Sequence, residues 1–253
     1  MPHLEAAGHS LSYERIEGEA GKPVLVFLHE GLGSIRQWRE FPAKICAATG
    51  CAGVVYDRYG YGQSDVLAEP RRTVRFMHDE ALVSLPNLLK GLNIENPVLI
   101  GHSDGASIAL IHAGSGAAVR GVVAMAPHVF IEPLCLSSIA RASETFERTD
   151  LNEKLGRYHR DARKTFYGWA DVWLDPEFKG WDIRGDFLPK VRCPVLAIQG
   201  YDDEYGTMEQ LEEIKRRVAG PCELVKLERC GHAPFRDQPE VVTARVAAFV
   251  KAL

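Results

Sequence analysis

Short apolar runs alternate with longer amphipathic stretches along most of the chain. Residues 10–17 and 22–28 (KPVLVFL) read as strands, the second continuously apolar, as a strand buried on both faces must be. A helix is predicted over 35–48, then a strand at 53–57 (GVVYD) and a longer helix over 73–91 that Pro86 should kink or divide. Strand 97–101 (PVLIG), helix 104–113 and strand 120–126 (RGVVAMA) follow. Strand 194–200 (PVLAIQG), helix 207–219, strand 223–228 and helix 238–252 close the series. Strands alternating with helices of this length imply an α/β fold, a mostly parallel sheet covered by helices on both faces.

Residues 127–189 break the alternation. No strand pattern occurs there, helical patterns cover 136–148, 150–158 and 160–173, and Trp169, Trp173 and Trp181 lie within it. A structureless loop of that length does not belong inside a compact domain. The stretch therefore reads as a helical insertion over the carboxyl edge of the sheet, placed to act as a lid, since ligands of open α/β sheets bind at that edge. The chain divides into a core of 1–126 and 190–253 and a helical cap of 127–189.

The length of 253 residues fits one core carrying an insertion. With 30 Lys+Arg against 34 Asp+Glu, the net charge of −4 lacks the basic excess of a nucleic-acid binder. No apolar run reaches the length of a spanning helix, so no membrane partner is expected. The opening Met1-Pro2-His3-Leu4-Glu5 lacks a basic segment followed by an apolar one, so no cleaved secretory signal is expected. The six cysteines (Cys46, Cys51, Cys135, Cys193, Cys222, Cys230) form no C-x-x-C pair and have no histidine pair beside them at ligand spacing. They read as reduced thiols of a cytoplasmic protein with no metal and no cofactor. The expected partner is a small-molecule substrate.

Gly101-His102-Ser103-Asp104-Gly105 follows strand 97–101 directly and opens a helix. This is G-x-S-x-G in the strand–turn–helix setting that exposes its serine above the sheet. A serine hydroxyl needs a base, and the base needs an orienting acid. In the chain order of such sites, acid then histidine, Gly200-Tyr201-Asp202-Asp203-Glu204 ends one strand and Cys230-Gly231-His232-Ala233-Pro234 follows the next. Ser103 and His232 are the candidate nucleophile and base, and Asp203 the chosen acid with Asp202 its rival. His3, His9, His78, His112 and His159 sit in ordinary contexts and read as satisfied or solvated side chains, and His102 as a packing residue. The oxyanion donors expected are the backbone amides of Asp104 and of Gly31, in the loop His29-Glu30-Gly31-Leu32-Gly33.

Five motifs in order, LHEGLG (28–33), DRYGYGQS (57–64), GHSDG (101–105), GYDDE (200–204) and CGHAPFRDQPE (230–240), resemble the α/β-hydrolase superfamily from about residue 10 onward, in its lid-bearing branch of small esterases and related carbon–carbon-bond hydrolases. The resemblance implies the α/β-hydrolase fold, a Ser103–His232–Asp203 triad, an oxyanion hole from the Gly31 and Asp104 amides, and a cap at 127–189. It favours Asp203 over Asp202. Two positions depart from the pattern: Glu30 stands where the oxyanion loop usually has glycine, and Tyr59 where the second motif often does. Glu30 either forms a structural ion pair or contacts a polar group of the substrate.

Glu30, His128, Trp169 and Trp173 are the candidate pocket residues. The cap carries nine Lys+Arg against eleven Asp+Glu, a net of −2 that offers no basic site for a polyanion. A small, largely apolar or aromatic carboxylic ester is the expected substrate. Cleavage of a carbon–carbon bond, a lactone or a thioester by the same triad stands beside it as an alternative, and a non-catalytic ligand-binding receptor as another. Turnover separates the last from the others.

Overall fold

A computed structural model describes residues 1–69 and 71–253 of the chain. Its centre is an eight-stranded sheet of order β1-β2-β4-β3-β5-β6-β7-β8. The strands are β1 (His3–Ala6), β2 (His9–Ile16), β3 (Leu25–Leu28), β4 (Gly53–Tyr56), β5 (Val98–His102), β6 (Gly121–Met125), β7 (Val195–Gly200) and β8 (Cys222–Leu227). All pairs from β4 through β8 are parallel, and β1 and β2 add an antiparallel edge. The mostly parallel α/β architecture is thus observed. The first strand is additional to the predicted set: Ala7 and Gly8 both take positive φ, as a two-residue type I′ hairpin turn requires, and fold residues 3–6 back on β2.

The helices are α1 (Phe41–Thr49), α2 (Phe76–Asp79), α3 (Leu85–Gly91), α4 (Asp104–Gly114), α5 (Pro133–Arg148), α6 (Leu151–Gly156), α7 (Ala162–Leu174), α8 (Glu209–Arg217), α9 (Pro234–Asp237) and α10 (Pro239–Lys251). Two predicted helices are divided. Residues 35–48 form a single 3₁₀ turn at Ile35–Trp38, then Arg39 swings to φ 54° before α1 begins with Pro42 in its first turn, the helical position that a residue without an N–H tolerates. Residues 73–91 start helical only at Phe76 and open into a π turn over Glu80–Ser84. Pro86 has no N–H to return to the carbonyl four residues back, so the ladder is rebuilt ahead of it and regular helix resumes as α3. The strand expected at 22–28 begins only at Leu25, after Pro23.

Every residue of β3, β4, β5 and β6 is buried. Their side chains still alternate: Val26, Leu28 and Leu99 join one apolar cluster, and Leu25, Phe27, Val98 and Ile100 the other, one on each face of the sheet. After β3 the chain moves to β4 on one side and to β5 on the other, so the strand order reverses at β3. A crevice at the carboxyl ends of β3 and β5 is the expected ligand position.

Helices α5, α6 and α7 lie between β6 and β7 in the chain. Phe130 and Asp182 form an antiparallel bridge, and the Ile183 amide donates to Val129 O at 2.9 Å, so the two ends of this segment leave and rejoin the sheet side by side. Hydrogen bonds from Arg160 N to Gly62 O (3.0 Å), Thr165 Oγ1 to Gly60 O (2.8 Å) and Arg36 Nη1 to Arg157 O (2.7 Å) tie it to the core. No helix of the described residues is long and apolar enough to cross a membrane.

Candidate active site

Ser103 occupies the turn between β5 and α4 with φ 52° and ψ −120°, backbone angles that a non-glycine residue holds only when its surroundings impose them. The Ser103 amide donates to Met125 O at 2.9 Å, and its carbonyl accepts from the amides of Ala106 (2.9 Å) and Ser107 (3.1 Å). Gly105 lets this turn press against β3, because a Cβ there would stand 2.0 Å from Leu28 O.

Ser103 Oγ donates to His232 Nε2 at 2.9 Å, and His232 Nδ1 donates to Asp203 Oδ1 at 2.8 Å. Asp203 also accepts from the Tyr205 amide (2.8 Å) and from Gln199 Nε2 (3.1 Å), so its carboxylate is held from three sides. Asp202, its neighbour and rival, is exposed. Burial alone would raise the Asp203 carboxyl, but the facing His232 charge and hydrogen bond hold it below its ordinary value. Burial disfavours the charged form of His232, yet Asp203 outweighs it and the imidazole is raised.

The loop after β3 is aimed by buried polar contacts. His29 Nε2 accepts from the Arg58 amide (3.1 Å), which leaves Nδ1–H to donate to Glu30 O (2.7 Å). Arg58 Nη2 donates to the same carbonyl at 3.0 Å. Burial, then the Arg58 charge, push His29 well below the usual histidine range, so it acts as a neutral strut. In a trans peptide the carbonyl of Glu30 and the N–H of Gly31 point opposite ways. Pinning the carbonyl inward therefore turns the Gly31 amide outward, toward the cavity that Gly31 and Ser103 both line. Among the described residues neither the Gly31 nor the Asp104 amide has an intramolecular acceptor.

Glu30 and His159 brace this loop from opposite ends. Glu30 faces Arg236 Nη2 at 3.3 Å and His102 Nδ1 at 3.4 Å, and His102 Nε2 donates to the His232 carbonyl at 2.6 Å. Burial would raise the Glu30 carboxyl, but His102 and then Arg236 hold it well below the carboxylate range. The charged departure from glycine thus links the loop after β3 to the loop that carries His232. His159, read from sequence only as a satisfied or solvated side chain, is buried: it accepts from the Gly62 amide at 2.9 Å and donates to Leu32 O at 3.0 Å.

A cavity of about 100 Å³ opens over Ser103 and His232, lined by all four expected pocket residues, Glu30, His128, Trp169 and Trp173. The Trp169 indole lies against Gly31, where a Cβ would come within 2.1 Å of its Nε1. His128 is clamped at its backbone by Ser107 Oγ, which donates to its carbonyl (2.6 Å) and accepts from its amide (3.1 Å). Burial, reinforced by the His232 charge, pushes its imidazole down to about 3, so it is neutral near pH 7. Leu32, Cys135, Ile139 and Tyr205 complete the lining and were not singled out from sequence. Leu32 lies within the first of the quoted motifs and Tyr205 adjoins the fourth, whereas Cys135 and Ile139 stand four apart on one face of α5, a spacing that marks a helix face but not what it faces. Phe178 and Trp181 pack into the apolar core instead. Among the described residues no cluster of three or more His, Cys, Asp or Glu is placed to hold a metal.

Comparison with known proteins agrees with this architecture. The model of a family described as "Alpha/beta hydrolase family" matches residues 25–245. The chain superposes on a bacterial membrane phospholipase A described as a virulence factor with TM-score 0.81 and 18% identity, covering 99% of this chain and 85% of that one. It superposes on the enol-lactonase of Burkholderia xenovorans LB400 with TM-score 0.74 and 19% identity over 98% and 99% of the two chains. For a thermophilic esterase from Thermogutta terrifontis the values are 0.73 and 21%, over 100% and 99%. At these identities the likeness is one of fold.

Proposed function

The chain belongs to the alpha/beta hydrolase family, and from that premise we propose that it hydrolyses a small, largely apolar or aromatic carboxylic ester through an acyl-enzyme on Ser103. The observation that carries the reading is the continuous relay Ser103–His232–Asp203, with links of 2.9 and 2.8 Å, opening on a small cavity. In the first half-reaction His232 Nε2 takes the Ser103 proton as Oγ attacks the ester carbonyl. The Gly31 and Asp104 amides receive the negative charge that forms on the carbonyl oxygen. The His232 imidazolium, stabilised by Asp203, returns its proton to the departing alkoxide. Water then enters, gives a proton to the same imidazole and attacks the acyl carbonyl, and collapse of the second tetrahedral intermediate frees the acid and restores Ser103.

Residues 127–189 serve as the cap: Trp169, Trp173, Cys135 and Ile139 roof the cavity, and its size selects short acyl groups. The six free cysteines support a cytoplasmic setting. The same relay is competent toward lactones, thioesters and vinylogous diketones, so a panel of these beside p-nitrophenyl esters ranks the substrate class. A fluorophosphonate probe should label Ser103, and Ser103→Ala should lose both labelling and ester turnover while keeping its circular dichroism spectrum. Undiminished turnover in that folded variant refutes the assignment.

A further inference from the structure

Glu30 grips the segment that carries His232 at two points. Its Oε1 stands 3.3 Å from Nη2 of Arg236, which lies on α9 just beyond His232 in the chain. Its Oε2 stands 3.4 Å from His102 Nδ1, and the opposite nitrogen of that ring, Nε2, donates to the His232 carbonyl at 2.6 Å. Among the described residues no backbone amide donates to that carbonyl, so the His102 imidazole is what holds it. The ring itself is fixed, being 2% exposed and packed edge-on against Trp38 and Phe235. Both ends of the segment from His232 to Arg236 are therefore fastened to one carboxylate.

The acyl-transfer cycle gives that fastening a use. At rest the His232 ring is held by Ser103 at Nε2 and by Asp203 at Nδ1. Once Oγ has bonded to the acyl carbon, Nε2 must turn from it to protonate the leaving group, and later take a proton from water. Through both steps Asp203 is the ring's remaining hydrogen-bonded anchor, and the rest of its placement falls to the backbone of the loop after β8. A misplacement of about 1 Å can cost on the order of 10²-fold in rate. A glycine at position 30 could make neither contact.

We propose that Glu30 is a positioning residue: through His102 and Arg236 it clamps the segment 232–236 and keeps the His232 imidazole aimed at the reacting atoms after the Ser103 hydrogen bond is broken. The inference rests on the ester-hydrolase reading and adds to it a residue that acts through others.

The test measures kcat and KM for p-nitrophenyl butyrate, and the rate of fluorophosphonate labelling, in variants whose circular dichroism matches the wild type. In Glu30→Gly and in His102→Phe, kcat and the labelling rate should fall together by at least about tenfold. KM should stay within about twofold, since the clamp acts on the base and not on bound ester. His102→Gln, whose amide can still donate to the His232 carbonyl, should recover most of what His102→Phe loses. Should Glu30→Gly not fold, Glu30→Gln keeps the volume without the charge and should show the same fall in kcat at unchanged KM. Wild-type kcat in a folded Glu30 variant overturns the clamp, and so does a raised KM at unchanged kcat, which would make Glu30 a substrate contact. Equal losses in His102→Phe and His102→Gln overturn the path through the His102 N–H. Each of these leaves the ester reading standing, because wild-type turnover and Ser103 labelling remain; absence of both in the wild type defeats the two together.

Discussion

A histidine serves as a base toward serine only if its forward nitrogen carries a lone pair, and that depends on what holds the other nitrogen. Asp203 does this for His232, and Asp202, one residue away and exposed, does not. Asp203→Asn should therefore lower kcat by on the order of 10³–10⁴, whereas Asp202→Asn should leave it within about twofold. The pH profile adds a second readout. His232 is raised above its ordinary value, so the basic form is lost as pH falls through a point above about 6.5, and the acid limb of kcat/KM should have its midpoint there. Removing the Asp203 charge should move that midpoint to lower pH. A limb that stays in place in Asp203→Asn would show that another group sets it. The neighbouring aspartates are chemically identical; the family resemblance favours Asp203, and the path of the turn after β7 gives the physical reason, burying Asp203 against His232 and leaving Asp202 exposed.

The turn between β5 and α4 concentrates strain in one element. At φ 52° Ser103 sits where glycine is at ease and an L side chain is not. Ser103→Gly and Ser103→Ala both lack the hydroxyl, so their difference in stability reports the backbone conformation. Relief of strain, about 1–3 kcal/mol, should exceed the entropic cost of glycine in the unfolded chain, about 0.5–1 kcal/mol. Ser103→Gly should thus unfold at the higher temperature in calorimetry; the reverse order would mean that the turn is relaxed. The divided helices carry a related lesson. Hydrophobic periodicity persists through Arg39 and through Glu80–Ser84, but Pro42 and Pro86 interrupt the hydrogen-bond ladder beneath it. Periodicity reports which face is buried, not whether the ladder is continuous.

Across the whole molecule, buried histidines couple folding to pH. Desolvation holds His29, His112, His128 and His159 below the ordinary value, whereas each takes up a proton near pH 6.5 once unfolded. Below that pH the unfolded chain binds more protons, so the stability these groups contribute is complete above about 6.5 and declines as pH falls. His232 and the buried Asp57 carboxyl, both raised instead, contribute with the opposite sign, but the depressed histidines outnumber them. The melting temperature should drop as pH is lowered from 7.5 to 6, an effect that Asp57, whose carboxyl burial pushes up to about 6, partly offsets by taking up a proton in the folded chain near the end of that interval. A flat melting temperature across that interval would contradict the neutral, buried state of these rings. His29 and His159 matter most here, because protonation of either would break a bond accepted from the segment after β4, from the Arg58 amide or the Gly62 amide, against which the loop after β3 is held.

The linear chain by itself determined the sheet, the order of its strands along the sequence and the identity of the chemical groups, because burial on both faces, turn chemistry and the G-x-S-x-G turn are local demands. Ser103, His232 and the aspartate pair could be read directly, and so could Gly31 and Asp104 as residues beside the same cavity. The tertiary structure alone decided that Asp203 is buried against His232 while Asp202 is exposed, that Glu30 bridges His102 and Arg236, and that Arg58 and His29 turn the Gly31 amide outward. It also brought Cys135, Ile139, Tyr205, Asp104, Trp173 and His128 around one small space. Each of these depends on segments distant in sequence arriving at the reversal of strand order beside β3. No periodicity encodes such a meeting, since it is set by how the inserted helices pack over the sheet.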